Sequence, residues 1–239
     1  MTTHEELRND KGMITKSLKV ELERFRKALA IFCSIKKDLC VKVGANITDE
    51  RFSYRDREFM AEFARTLERD ASLITQVVNY IEYLPVDASD QLVSNTVEQA
   101  FYDITMLELR EMMEKRDVLL KENPMQFLYY KKKETSYEGV NAELQQLKCA
   151  LVAIADLEDQ VMWEMRHDPN LIEVEPDFMR ALYVSLLITE FFVKNLANTI
   201  ENLPEDTTDD VLLNSVFKLY DEAVVWAQAQ PIYLKKKRG

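Results

Sequence analysis

The sequence predicts an all-α protein built from two tandem copies of a three-helix unit, and three observations lead to this prediction. Apolar residues recur at three- and four-residue spacing over long stretches, as they do on one face of an α-helix. Only 4 Gly and 6 Pro occur among 239 residues, which favours long helices joined by few tight turns. The chain also resembles itself at a nearly constant offset.

The internal similarity covers most of the predicted unit. Residues 79–97 align with residues 198–216 at an offset of 119, and nine of these nineteen positions are identical. Upstream, residues 20–29 align with residues 142–151 at an offset of 122. Because the matches are collinear, they indicate a duplication of the whole unit.

From these matches we predict a first repeat over residues 1–135 and a second over residues 136–239, the second ending in a basic tail. Each repeat is expected to supply three long antiparallel helices, and the two repeats are expected to form two packed bundles. The predicted helices cover about residues 15–43, 54–84, 88–121, 140–166, 177–203 and 208–229.

The first repeat carries a signal at each helix boundary. Gly44 follows the first apolar stripe in the position of a C-terminal stop. Pro85 ends the second helix, and Asp87 or Ser89 is the predicted N-cap of the third, which ends before Pro124. The stripe of the first helix is Leu18, Leu22, Phe25, Leu29, Phe32, Ile35 and Leu39, and that of the second is Met60, Phe63, Leu67, Ile74, Val77, Ile81 and Leu84.

The second repeat shows the same signals. Its last helix is predicted to begin after Thr207 or Thr208, to carry Asp209 and Asp210 in its first turn, and to end before Pro231. The inward residues of its first helix are Leu144, Leu147, Leu151, Ile154, Val161 and Met165, and those of its second are Met179, Leu182, Leu186, Val193, Leu196, Ile200 and Leu203.

Composition bounds the class of protein. The net charge of −11 disfavours nucleic-acid binding by a broad surface, because phosphate contacts supply most of that affinity. Three cysteines without a CxxC pair, a polar N-terminus and no long apolar run predict a soluble intracellular protein that is not an integral membrane protein. We expect it in the cytoplasm, with the nucleus as an alternative because its last residues are basic.

Three residues are weak candidates for an internal polar or metal site. A strict heptad count along the second helix reaches Asp70, and the equivalent position in the other repeat, Thr189, is also polar. The alternative for Asp70 is a pairing with a nearby Lys or Arg. Glu164 and His167 form one ExxH, the spacing that helical di-iron proteins use in pairs, but this chain contains it only once.

Two lysine runs concentrate positive charge on an otherwise acidic chain, each after a proline at the end of a repeat. Such clusters bind acidic protein surfaces, phosphates or anionic lipids, and the alternative is a solvated helix terminus. The candidate partner- or anion-binding residues are Tyr129, Tyr130, Lys131, Lys132, Lys133, Tyr233, Lys235, Lys236, Lys237 and Arg238.

The six-helix plan is similar to that of the phosphate-uptake regulator (PhoU) family, and Leu67-Glu-Arg-Asp70 resembles a helix motif of that family. This resemblance implies a ligand- or metal-responsive regulator. The second repeat reads Leu186-Leu-Ile-Thr189 at the same place, so a metal cluster in both halves is not indicated.

The leading functional prediction is a non-enzymatic protein-interaction module that binds partners in grooves between its helices. The sequence has no Gly-rich phosphate loop, GxSxG or HExxH, so we predict no catalytic residues and no cofactor. A protein partner, or self-association into a homo-oligomer, is expected. Candidate contact residues are Tyr80, Tyr83, Trp163 and Trp226. The alternatives are the PhoU-like regulator and a polyanion or anionic-membrane binder.

Overall fold

The computed structural model describes residues 4–114, 132–133, 136–167 and 176–230, and in this part of the chain it is all-helical. Its six helices are α1 (His4–Ile47), α2 (Tyr54–Ile81), α3 (Asp90–Glu114), α4 (Tyr137–His167), α5 (Pro176–Glu201) and α6 (Asp209–Ala229). The predicted fold class is thereby confirmed at the level of an all-α helical bundle.

Local capping explains where several helices begin. Ser53 caps α2 in a capping box with Asp56, in which each side chain accepts from the backbone N–H of the other residue. The hydroxyl of Ser89 accepts from the N–H of Leu92 at 3.3 Å, and that of Thr208 accepts from the N–H of Val211 at 3.4 Å. Of the alternatives offered by the sequence, Ser89 and Thr208 are therefore the caps of α3 and α6.

Some boundaries differ from those predicted. Gly44 does not stop α1, which continues to Ile47, because this glycine keeps a helical backbone and lacks the left-handed conformation of a C-terminal cap. Helix α1 also begins earlier than predicted, at His4. Helix α3 is described only as far as Glu114, so its predicted last turns to residue 121 lie outside the described residues.

The helices surround one hydrophobic core to which all six contribute. Helices α1, α2, α4 and α5 contact one another, while α3 packs chiefly on α2 and α4, and α6 on α5 and α1. The rings of Phe32 on α1 and Phe192 on α5 stack at 3.9 Å between centroids. The expected division into two bundles is not confirmed, since each half contributes helices to the same core.

Candidate functional site

The centre of the bundle holds a buried ion pair between Lys36 on α1 and Asp70 on α2. The ammonium Nζ of Lys36 lies 2.5 Å from Asp70 Oδ2 and donates to Thr189 Oγ1 on α5 at 2.6 Å. Lys36 is 1% exposed and Asp70 is 4% exposed, so both charges are desolvated and depend on each other. This arrangement corresponds to the alternative interpretation of Asp70, in which its carboxylate pairs with a nearby lysine or arginine.

Glu158 on α4 is the fourth member of this polar centre, and it differs from the other three. Its side chain is 5% exposed, and it forms no hydrogen bond with any residue that the structure describes. Burial raises the pKa of Glu158 well above its usual range, and the nearby Asp70 adds to this, while Lys36 and Arg69 oppose it. Burial without a hydrogen-bond donor thus favours the protonated form of this carboxyl group.

The four central residues occupy positions that the internal similarity relates to each other. Asp70 and Thr189 are 119 residues apart, and the Thr189 hydroxyl lies 3.2 Å from Asp70 Oδ2. Lys36 and Glu158 are related by the offset of 122 that aligns residues 20–29 with residues 142–151. Two pairs of equivalent positions thus meet at the centre.

The apolar stripes explain how the sequence brings these charges inside. Continuing the stripe of α1 by four residues from Phe32 reaches Lys36, and continuing that of α4 by four residues from Ile154 reaches Glu158. The prediction placed Ile35 inward, but Ile35 is only partly buried and Lys36 is fully buried. The periodicity therefore contained the signal for both charges, although neither residue was predicted to lie inside.

A cavity of about 210 Å³ adjoins the centre between α2, α3, α4 and α5. Its polar wall includes Asp70, Glu158, Glu62, Thr66 and Arg69. Its apolar wall is formed by Leu73, Phe101, Leu157, Val161, Met165, Leu182 and Leu186.

The other two metal candidates lie far along α4, near its end. Glu164 accepts from the Gln160 side chain at 3.1 Å, and His167 Nδ1 lies 2.7 Å from the Trp163 carbonyl oxygen. Because a carbonyl only accepts, Nδ1 carries the proton in this contact. Among the residues that the structure describes, no three His, Cys, Asp or Glu side chains are grouped as a metal ion would require.

The lysine runs are described only in part. The carboxylate of Glu82 lies 2.8 Å from Lys132 Nζ, and this contact raises the pKa of Lys132. Lys133 donates to the Ile81 carbonyl at the end of α2 and to the Gln146 side chain, and burial lowers its pKa to about 8. The remaining candidates, Tyr129, Tyr130, Lys131, Tyr233, Lys235, Lys236, Lys237 and Arg238, lie outside the described residues.

A groove of about 560 Å³ runs along α4, α5 and α6. Trp163 at its edge is 60% exposed and stacks on the His167 ring at 4.3 Å. The guanidinium of Arg166 lies over the ring of Tyr183 at 4.7 Å. The groove is lined by Asp159, Met162, Trp163, Arg166, Tyr183, Leu187, Glu190, Trp226 and Gln230.

The other predicted contact residues are less available. The hydroxyl of Tyr80 lies 3.3 Å from Asp103 Oδ2, and burial together with this carboxylate raises the pKa of Tyr80 to about 12. Trp226 is partly buried against Phe191, with ring centroids 5.1 Å apart. Tyr83 is 41% exposed.

Compared with known protein families, with curated proteins and with solved structures, the chain matches none of them. The similarity in plan to the phosphate-uptake regulators therefore rests on the number of helices and on one short motif. None of the helices in the described part of the chain combines the length and apolar content that a membrane crossing requires.

Proposed function

We propose that this protein is a non-enzymatic interaction module that binds a partner helix in the groove between α4, α5 and α6. The observation that carries the proposal is the exposure of Trp163 beside a groove that also contains Tyr183 and Trp226. Large aromatic side chains dominate the energetics of protein interfaces, and an exposed tryptophan beside a groove that mixes aromatic, aliphatic and charged side chains is a typical anchor.

The proposed occupant is an amphipathic helix of a different protein, with basic residues flanking its apolar face. A groove lined by three helices suits a partner helix whose apolar side chains recur at three- and four-residue spacing. The net charge of −11 favours a basic partner and opposes association with a second copy of the same chain. The free cysteines fit an intracellular setting for this interaction.

We further propose that the scaffold arose by duplication of a three-helix unit, and the contacts between the halves support this. Arg26 pairs with Glu82 and Glu143, and Lys148 pairs with Glu201 and Glu21. Arg26 and Lys148 are related by the offset of 122, as are Glu21 and Glu143, and Glu82 and Glu201 are related by the offset of 119. One arrangement thus recurs twice across the interface of α1 and α4.

Two further pairs of contacts follow the same relation. Arg24 donates to the Pro204 carbonyl at 2.6 Å, and Gln146 donates to the Pro85 carbonyl at 2.6 Å. Lys27 pairs with Asp209. The equivalent contact in the other half joins Cys149 and Asp90. Burial raises the pKa of the Cys149 thiol, and the charge of Asp90 raises it further. In both cases the first helix of one half contacts the proline loop or the third helix of the other half.

The interaction proposal is tested by affinity capture from a native extract with three baits, wild type, Trp163→Ala and Val41→Ala. Val41 is the matched control because it is 71% exposed and occupies the position equivalent to Trp163 in the first half. We expect a partner that is lost with Trp163→Ala and retained with Val41→Ala, and whose cross-linked segment is a basic amphipathic helix. The same captured proteins with all three baits, or cross-links to a second copy only, would contradict the proposal.

A further inference from the structure

The cavity beside the polar centre is lined in part by Glu158, whose carboxyl group has no hydrogen-bond partner among the residues that the structure describes. Lys36, Asp70 and Thr189 bond to one another, whereas Glu158 faces the cavity without a hydrogen bond from any described residue. A carboxyl group that is 5% exposed and has no donor is costly to bury, so a ligand that supplies a donor would be strongly favoured there.

We propose that this cavity binds a small primary amine with an aliphatic tail, its ammonium group donating to the Glu158 carboxylate. This inference is independent of the groove and of the interaction that we assign to it. The proposal makes Glu158 and the cavity a ligand site enclosed by helices of both halves of the chain.

The charges around the cavity favour a cationic ligand. The wall contains three carboxyl groups, on Glu62, Asp70 and Glu158, against the guanidinium of Arg69. Lys36 already donates to Asp70 and Thr189. Because Asp70 pairs with Lys36 and Glu62 lies 3.1 Å from Arg65, Glu158 is the carboxyl group of this wall that has no ion pair among the described residues, and a cation that displaces its proton would find an acceptor there.

The apolar wall favours an organic cation over a bare metal ion. A hard metal cation is surrounded by about six or more oxygen ligands, which protein groups and water supply together. Most of the side chains that line this cavity are aliphatic or aromatic and cannot act as such ligands. A cavity of 210 Å³ holds about seven water volumes at about 30 Å³ each, which is the size of a short alkylamine. Such a ligand would satisfy Glu158 with its ammonium group and cover Leu157 and Leu186 with its tail.

The two halves of the chain can be compared directly at this site. Glu158 occupies the position of Lys36 in the other half, and that lysine has Asp70 as its ion partner. At the residue equivalent to Asp70 the second half has Thr189, whose hydroxyl contacts the Lys36–Asp70 pair. A bound ammonium group would give Glu158 the opposite charge that its own half does not supply.

The test is a calorimetric and thermal-shift titration of the full-length protein with n-pentylamine at fixed pH and ionic strength, with n-pentanol as the uncharged probe of similar shape. Glu158→Gln removes the charge with little change in volume, and Glu164→Gln removes an exposed carboxylate from the same helix as the control. We expect saturable binding of pentylamine to wild type and to Glu164→Gln. Binding should weaken by about tenfold to a hundredfold in Glu158→Gln, the loss of one charge-assisted hydrogen bond.

Equal binding of pentylamine to wild type and to Glu158→Gln would overturn the proposal, as would the absence of saturable binding to wild type. The pentanol arm keeps the test decisive if Glu158→Gln does not fold, because it needs only wild-type protein. Pentanol binding at least tenfold weaker than pentylamine supports the assignment, and equal binding shows an apolar cavity without the proposed cation site.

Discussion

The two halves of the chain use equivalent positions for two different purposes. At the interface of α1 and α4, Arg26 and Lys148 make matching ion pairs, each with one glutamate from its own half and one from the other. At the centre, Lys36 has a carboxylate partner, whereas its equivalent Glu158 forms no ion pair or hydrogen bond within the described part of the chain. Positions where the halves agree hold the bundle together, and positions where they differ are those to which we assign binding.

The exposed surface shows the same contrast. Val41 on α1 and Trp163 on α4 are equivalent and both largely exposed, at 71% and 60%. The aromatic side chain adds much more contact area than the aliphatic one and is a typical interface anchor. The comparison therefore supports our proposal that the binding surface lies in the second half.

The largest effect should come from breaking the central ion pair. Lys36→Met leaves Asp70 buried without a cation, so we expect the free energy of unfolding to fall by about 3–5 kcal/mol in urea denaturation. The double variant Lys36→Met with Asp70→Leu should recover most of that loss, because no uncompensated charge remains. Lys37→Met, at an exposed neighbour, is the control. A loss below about 1 kcal/mol for Lys36→Met would contradict the pairing as described.

The sequence predicted most of the fold because its signals are local. Three- and four-residue spacing of apolar residues indicates helices, and the serine and threonine caps set the starts of α3 and α6. The packing of α3 on α4 and of α6 on α1 was not predictable in this way, since it depends on contacts between residues far apart in the sequence, such as Lys27 and Asp209, which are 182 positions apart.

The candidate sites were less predictable from the sequence. Asp70 was identified because it interrupts an apolar stripe, but its partner Lys36 lies on another helix and reads as a surface residue when taken alone. Gly44 misled the prediction because a glycine is also tolerated inside a helix at a cost of about 1 kcal/mol relative to alanine.

The second prediction concerns the pH dependence of stability and contrasts Glu158 with Gln at the same position. The raised pKa of Glu158 means that the folded state keeps its proton at pH values where the unfolded state has lost it. Stability relative to Glu158→Gln should therefore fall as pH rises above the ordinary glutamate pKa of about 4.3, by at most about 1.4 kcal/mol per pH unit.

The measurement is urea denaturation of both proteins between pH 4 and pH 8. Parallel stability curves for wild type and Glu158→Gln would show that this carboxyl group is solvated in the folded state. Glu164→Gln, which is exposed on the same helix, should follow wild type throughout.

The third prediction asks whether the matching ion pairs carry equal weight. Arg26→Ala and Lys148→Ala each remove a partly buried cation shared by two glutamates, so each should cost about 1–2 kcal/mol of stability. Equilibrium denaturation of the two variants provides the comparison. Costs that differ by more than about 2 kcal/mol would show that the two arrangements are not energetically equivalent.

The smallest effect should come from the caps at equivalent positions, Ser89 and Thr208. Ser89→Ala and Thr208→Ala each remove one hydroxyl acceptor from the first turn of a helix, which costs about 1 kcal/mol or less. Thermal denaturation should show small, similar decreases in Tm, with Ser215→Ala, at a partly buried position in the middle of α6, as the control. No decrease for either cap would remove the capping role assigned to these residues.

The most direct measurement of the central claim is the affinity of the captured partner segment for two matched variants, determined by isothermal titration calorimetry. If the second half carries the binding surface, Trp163→Ala should bind at least about thirtyfold more weakly than wild type, which corresponds to a hot spot of about 2 kcal/mol. Val41→Ala should bind as wild type does. Equal affinities for the two variants, or a larger loss for Val41→Ala, would contradict the assignment of function to the second half.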